Sequence, residues 1–513
     1  MQYAWLMRDG DIVQPVDIPS ARAAQPIRVA QRLVCFPVLL GAFLVAGGLV
    51  VARFNLADPD MWSHAATGRE ILATRSFPTT DAYSFTASGN ASLAFEWLGE
   101  VMLAEAVDRG GFKALLVLLY VLTASLTVLL YYHAWQRCGN SKAAFVACAG
   151  VLPLASAFFT LRPQLLGYVF LLITLICLER FRQGPTKALW ILPAVFVLWV
   201  NTHGSFVLGL IAFGVYWASG LVGFEAGGLK AERWTPGQRQ QLALAFLLSL
   251  VALAVTPYGT RVAGFTLHVI FNAPIGMSHI TEYQPLGTSG ELLKFFLAIL
   301  LTFLLAQVAL WPTYRLEQVV LLVGGIYGAC THSRLLFFFA VVFAPLLARL
   351  LSRWVPRYEP TKDHHGANAV LLVLLTLVLT RFFPSRQTWE QEVAGKYPAR
   401  AVDYLEQHPV PGPMFNPYGW GGYLMWRWGP QHRLFIDGRS QLYEEAGVFG
   451  DYLRMTALDR GTLLLMRKYG LKTCLVERQS PLATLLSTLP DWERIYQDDL
   501  STIYVCKRAS GVS

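Results

Sequence analysis

A run of roughly 17 to 22 apolar residues is long enough to cross a hydrocarbon core of about 30 Å. This chain supplies such runs about eleven times: at 34–51, 112–132, 143–161, 163–178, 189–200 with its flanks, 205–222, 241–257, 292–311, 318–330 with its flanks, 335–351 and 369–383. That succession constrains the fold more than any motif does, because within lipid each run has to satisfy its own backbone hydrogen bonds as a helix. A soluble globule carries charge on about a quarter of its residues. Here 15 % are charged against 54 % hydrophobic, and the mean hydropathy is +0.43. The expected fold class is an α-helical polytopic membrane protein of about eleven spans, with an extracytoplasmic α/β domain at its C-terminus.

The net charge of +9 could be taken for a nucleic-acid signal, but in a membrane chain the placement of Lys and Arg matters more than their sum. With the N-terminus inside, Arg22, Arg28 and Arg32, then Arg137 and Lys142, Arg180, Arg182 and Lys187, Lys230, Arg233 and Arg239, Arg315, and Arg353, Arg357 and Lys362 all fall on the cytoplasmic side. The short loops of the other face carry only Arg162, Arg261 and Arg334. The alternation predicts an extracytoplasmic C-terminal domain, and no nucleic-acid partner is expected. Residues 1–33 read as a cytoplasmic tail whose following span is retained as an anchor, because no small-residue cleavage site follows it. Most of the seven cysteines lie in or near spans as ordinary packing; only Cys474 and Cys506 share the external domain, and the sequence leaves a disulfide between them open.

Within the transmembrane domain, 34–384, two external loops exceed ordinary connection length, 52–111 and 257–291. In the first, "SHAATGREIL" has amphipathic helix spacing, "FPTTDAYSFT" reads as a turn and a strand, and "FEWLGEVMLAEAVDRGG" reads as an interfacial helix stopped by glycines. The second is too polar to span, and a re-entrant or surface element is expected. The 385–513 segment alternates helices (398–408, near 457–469, and one more) with strands (413–416, 432–437, 472–477, 493–497, 502–507), the pattern of an α/β domain.

The polar residues of the membrane part gather on one face. Asp58, Asp60, His64, Glu96, Arg162, Gln164, Asn201, His203, Arg261, His279, Glu282, His332 and Arg334 all map to external loops or external span ends. Polar groups persist near membrane depth when they face a cavity and pair with something. Each also has a plainer reading. Asp58 and Asp60 flank Pro59 and suit a helix N-cap; Arg162 could hold the carbonyls of a helix end; Arg261 and Arg334 could anchor at headgroups; Glu96 and Glu100 could be a solvated stripe; Trp62, Trp97, Trp420 and Trp426 could be an interfacial belt rather than sugar-stacking faces.

The acidic residues just after the first span, the many further spans and the external α/β domain together resemble the GT-C superfamily of membrane glycosyltransferases. "NPYGWGGYLMWRWGPQHRLFIDGRSQLY", residues 416–443, is similar in layout to the stretch of oligosaccharyltransferase catalytic subunits that begins with Trp-Trp-Asp-Tyr-Gly; Trp420, Gly421, Gly422 and Tyr423 match it, and the motif's aspartate has no counterpart. "HITE", 279–282, is similar to the external-loop glutamate motif of those enzymes. The resemblance implies inverting transfer of a sugar from a polyprenyl-phosphate-linked donor to an extracytoplasmic acceptor (envelope glycan, lipid or protein) at the bacterial inner (plasma) membrane. It implies Asp60, Asp58 or Glu96 as catalytic carboxylates. Arg162, Gln164, His203, Arg261, His332, Arg334, Trp420 and Tyr423 are the substrate-binding candidates, with arginine suited to the departing phosphate. Asp58, Asp60, His279 and Glu282 are the set that a divalent Mg or Mn ion would use, although oxygen-ligand sites have no reliable spacing. Two other classes stay open: a transporter or flippase, for which midplane polar residues and repeated halves would be expected, and a membrane-anchored envelope scaffold, for which one anchor would suffice.

Overall fold

The computed structural model describes residues 29–55, 57–272, 279–287 and 290–507; the expected tail before residue 29 lies outside them. The apolar runs fold as helices. Among the described residues, five are long and apolar enough to cross a membrane: Trp97–Cys138, Ser141–Phe158, Gln164–Gln183, Glu291–Leu310 and Ser333–Leu351. Phe36–Ala52, Ala188–Val200, Phe206–Ser219, Leu316–Thr331 and His365–Thr380 are shorter apolar helices, and Pro236–Ala252 takes most of the 241–257 run. The chain is thus an integral membrane protein by the length and composition of its helices, with five at spanning length among the described residues and the other expected runs folded as shorter helices.

Local chemistry sets the ends. Between the first two long helices, Gly139 closes one with φ 64°, and Asn140 opens the next by accepting from the backbone N–H groups of Lys142 and Ala143, the usual division between a left-handed C-terminal residue and an Asn cap. The interfacial helix is interrupted at the glycines, as expected. Gly111 takes φ 53°, ψ −139°, so the axis kinks there and the chain resumes at once as the long helix through Cys138. A residue with no Cβ permits that turn without strain.

Loop 52–111 contains the expected helix, Pro59–Thr74. Its predicted strand is absent: Asp81 instead accepts from the backbone N–H groups of Tyr83 and Ser84, a local turn that competes with a ladder. Only isolated bridges form there, Thr80 with Ala91 and Ser84 with Leu434. Loop 257–291 forms helix Arg261–Asn272 and a short 3-10 turn, Thr281–Tyr283.

A small sheet, β1 (Phe224–Ala226), β2 (Leu229–Ala231) and β3 (Tyr314–Arg315), sits at one end of the bundle. The C-terminal domain carries the second: β4 (Met414–Phe415), β5 (Thr473–Glu477), β6 (Trp492–Gln497) and β7 (Ser501–Cys506), in the order β4-β5-β7-β6. β4 runs parallel to β5, and β7 antiparallel to both neighbours. The strand expected at 432–437 does not form. That segment is held by side chains, with Asn416 donating to the Ile436 carbonyl and accepting from the Phe435 N–H. Cys474 and Cys506 are free thiols.

The domain is docked onto the bundle through loop 52–111. Helix Tyr418–Trp428 packs against Pro59–Thr74 so closely that a Cβ on Gly422 would lie 2.7 Å from the Pro59 carbonyl oxygen. Trp62 fills the seam, with Trp389, Tyr397, Tyr423 and Trp426 around it at 5.5–6.1 Å between ring centres. Arg439 closes the other side, pairing with Asp81 of the loop at 2.6 Å and with Asp437 at 2.7 Å. The start of helix Pro59–Thr74 therefore lies at this junction.

Candidate functional site

Helix Pro59–Thr74 begins with its charges already placed. Asp58 is the N-cap, its carboxylate accepting from the Asp60 N–H, and Pro59 occupies the first turn. Asp60 follows, where the positive end of the helix favours an anion. Both carboxylates then meet Arg162, carried on the turn before helix Gln164–Gln183. Arg162 Nε is 2.7 Å from Asp58 Oδ1, and Nη1 is 2.8 Å from Asp60 Oδ2 and 3.0 Å from Glu282 Oε2. Arg334 reaches the other oxygen of Glu282 at 3.6 Å and lies 4.5 Å over the Tyr283 ring. One carboxylate of Asp58 thus both caps the helix and pairs with Arg162. Asp58 is buried, whereas a third of the Asp60 side chain stays exposed, at 34 %. Enclosure within the junction raises the Asp60 carboxyl above the usual range, although Arg162 pulls it down.

One turn further on, His64 faces Glu96 and Glu100, which are themselves a turn apart across the helix start. Its Nε2 is 3.5 Å from Glu96 and its Nδ1 3.3 Å from Glu100. Burial works against a charged imidazole, but the Glu100 hydrogen bond and the charges of Glu96, Glu100 and Asp60 outweigh it and push His64 up to about 9. Burial also pushes Glu96 up to about 7, with His64 opposing and Glu100 adding to the rise. His203 lies 3.6 Å from the second Glu96 oxygen. Its Nδ1 accepts from the Ser205 N–H, so a neutral ring carries its hydrogen on Nε2, towards Glu96. Burial, with Arg334, His64 and Arg162 nearby, holds His203 well below its ordinary value.

The site candidates divide by position. Asp58, Asp60, Glu96, Arg162, His203, Glu282 and Arg334 come together. Gln164 is buried beneath, donating to the Tyr168 hydroxyl, and His332 is half-buried beside Arg334 with its Nδ1 2.9 Å from the Thr331 hydroxyl. Arg261, at the start of its helix, and His279 are exposed. Trp420 and Tyr423 are buried on the domain side: Trp420 Nε1 donates to the Lys396 carbonyl, and Tyr423 stacks on Tyr397 at 5.1 Å and accepts from Arg427. Asn201 is committed to structure, donating to two backbone carbonyls and accepting from Trp97. Sequence reasoning missed what the domain contributes. Gly438 lies against Asp60, where a Cβ would come within 3.1 Å of Oδ1, and Tyr418 donates to the Gly438 carbonyl. Tyr418 is raised well above its ordinary value by burial and by the charges of Asp60 and Asp437. The signal was present in "FIDGRS", a tight acidic turn, but nothing in the sequence says that it faces residue 60.

The carboxylates expected to hold Mg or Mn do converge, but on a guanidinium. Arg162 takes an oxygen from each of Asp58, Asp60 and Glu282, while His279 stands at the exposed surface. Among the described residues, no three His, Cys, Asp or Glu side chains are arranged to hold a metal ion. This arrangement does not fit the expected ligand set.

No protein-family model and no curated protein matches the chain. Among solved structures it is similar to the oligosaccharyltransferase of the archaeon Archaeoglobus fulgidus. With a tethered acceptor peptide the identity is 12 % and the TM-score 0.46; in the apo form 12 % and 0.44; with an inhibitory peptide and a dolichol-phosphate 13 % and 0.45. In each case the alignment covers 85 % of this chain and 69 % of that one.

Proposed function

We propose that the chain is an inverting membrane glycosyltransferase that moves a sugar from a polyprenyl-phosphate-linked donor to an acceptor on the extracytoplasmic side of a bacterial inner membrane. The observation that carries this reading is the Asp60–Arg162 pair at the junction of the helix bundle with the C-terminal domain, with Asp58 and Glu282 sharing the same guanidinium. A half-open carboxylate beside fixed cations is what transfer from a lipid phosphate requires: a base for the acceptor proton and positive charge for the departing phosphate.

Roles follow from what each group already holds. Asp60 Oδ2 is fixed by Arg162, so Oδ1, beside Gly438, is the oxygen left to accept the proton of an incoming hydroxyl. That hydroxyl attacks the anomeric carbon as the bond to the lipid phosphate breaks. Arg162 is saturated by three carboxylates and acts by holding them. Arg334, with a single carboxylate at 3.6 Å, is the guanidinium better placed to exchange that contact for a phosphate oxygen, and its planar fork suits the task. Glu96, near 7, is the second base candidate.

The test is transfer of labelled sugar from a panel of synthetic polyprenyl-phosphate sugars to endogenous acceptors in inverted and right-side-out vesicles. Transfer restricted to the extracytoplasmic face and lost on Asp60→Asn supports the reading. Release of labelled lipid across the bilayer without transfer would instead make the chain a flippase.

A further inference from the structure

At the opposite end of the bundle from Arg162, a second set of charges is buried where helices Trp97–Cys138, Gln164–Gln183, Phe206–Ser219, Leu316–Thr331 and Ser333–Leu351 meet. Glu179, fully buried, pairs with Arg137 at 2.9 Å and Arg315 at 3.1 Å and accepts from the Tyr216 hydroxyl. Glu317 pairs with Arg182 at 3.1 Å and lies 3.8 Å from Arg315. Three guanidinium groups face two carboxylates, which leaves one positive charge over. An uncompensated charge behind apolar helices is costly unless a counter-charge joins it.

The same place has donors with nothing to donate to. Arg137 Nη2 and Gln318 Nε2 are buried donors with no hydrogen-bond partner among the described residues, and His133 Nδ1, which donates or accepts according to its tautomer, is buried beside them without one. All three residues line one cavity of about 20 Å³, closed by Leu175, Tyr216, Leu321, Val342 and Leu346. The Gln318 amide cannot be turned to hide its nitrogen, because its oxygen accepts from the Arg315 N–H at 3.0 Å. A space of this size admits one particle comparable to a water molecule. Arg137 Nη2 and Gln318 Nε2 can only donate, and the Tyr216 hydroxyl hydrogen is already given to Glu179, so a water held here would have only the Tyr216 oxygen and His133 Nδ1 to take its protons. A monovalent anion accepts from every donor and removes the surplus charge.

We propose that this cavity binds a single halide-sized anion, chloride under physiological conditions, held by Arg137, Gln318 and His133. The anion ties together helices that otherwise meet with an unbalanced charge, and the proposal is independent of the reading of the Arg162 site.

The experiment is thermal unfolding of the full-length protein in detergent, in sodium chloride or bromide against sodium gluconate at fixed ionic strength. Chloride and bromide should raise Tm by several degrees in a saturable manner, as for any ligand that binds only the folded state, and gluconate, too large for the cavity, should not. Gln318→Met keeps the bulk but removes the donor, and should lose most of that halide-specific shift. Equal Tm in chloride and gluconate, or a full halide shift in Gln318→Met, would overturn the site. If the variant is not recovered folded, bromide anomalous scattering from wild-type crystals decides: a peak between Arg137 and Gln318 supports the site, and water or an empty cavity refutes it.

Discussion

Asp58 and Arg162 are 104 residues apart in sequence and 2.7 Å apart in space, and the Asp58 oxygen that takes the Arg162 Nε also accepts the N–H of Asp60. One carboxylate therefore fixes both the first turn of helix Pro59–Thr74 and the guanidinium that orients Asp60. The start of that helix is cap and ion-pair anchor together, with the proposed base two residues after the cap, which explains why the bland and the functional readings of "DPD" could not be separated in the sequence.

Arg162 is expected to matter for stability before it matters for turnover. Arg162→Ala leaves buried Asp58 without its cation, and loss of one partner of a buried pair costs about 3–5 kcal/mol. Arg162→Lys keeps the charge but cannot serve three carboxylates from one planar fork, so it should unfold at a lower temperature than wild type and a higher one than Arg162→Ala. The order of the three melting temperatures is the check; Arg162→Lys equal to wild type would show that the fork is unimportant.

The histidine and glutamate cluster predicts a falling stability with rising pH. Glu96 stands at about 7 in the fold against 4.5 ordinarily, and His64 at about 9 against 6.5. Both shifts mean that the folded state holds protons the unfolded chain has released, so stability falls as pH rises through 4.5–7 and again through 6.5–9. One pKa unit corresponds to about 1.4 kcal/mol, so the His64 share is on the order of 3 kcal/mol. Its stabilisation is complete below about 6.5 and gone above about 9. Melting curves from pH 6 to 10 should show the decline in wild type, and His64→Gln should flatten the part above pH 7.

Gly422 tests whether domain docking holds the site. A methyl group there would meet the Pro59 carbonyl at 2.7 Å, backbone that cannot step aside without moving the Asp58 cap. Gly422→Ala should destabilise by about 1–3 kcal/mol, the usual scale for overpacking, and lower transfer more than any loss of folded protein explains. Gly419→Ala, on the same helix with open space at its Cβ, is the control. Equal behaviour of the two variants in melting and transfer assays would refute the docking account.

Much of this architecture was legible because membrane helices declare themselves by length and apolarity, and because short strand segments such as β5, β6 and β7 alternate with helices along the C-terminal part of the chain. The polar face was legible too, since Arg162, Glu282 and Arg334 each interrupt an apolar context. What the sequence could not show were relations made across distance. Trp62 and Trp426 read as sugar-stacking faces or an interfacial belt, yet aromatic rings serve a domain seam equally well, and only the packing of Trp62 against Tyr423 and Trp426 shows them in one. The 432–437 stretch has strand composition, but Asn416 supplies the hydrogen bonds that a neighbouring strand would have made. Arg162 read as a phosphate ligand because nothing local reveals that three carboxylates already claim it.

The choice of base decides the mechanism, and Asp60 is the first candidate because it alone combines a fixed oxygen with a half-open one. Asp60→Asn keeps the shape and can still accept from Arg162 through its amide oxygen, so the helix start should survive, with a Tm within a few degrees of wild type. Transfer should fall by about a hundredfold or more, the usual scale for removing a general base. Asp58→Asn weakens the cap and the Arg162 pair together, so its signature is lower stability with a milder loss of rate in the protein that remains folded. Glu96→Gln removes a group that ionises near 7. If Glu96 rather than Asp60 takes the acceptor proton, wild-type transfer will rise with pH through about 7 and Glu96→Gln will abolish it, while Asp60→Asn retains near-normal rates. If none of the three substitutions slows transfer in folded, membrane-inserted protein, the cluster is a structural clamp and the reacting carboxylate lies elsewhere.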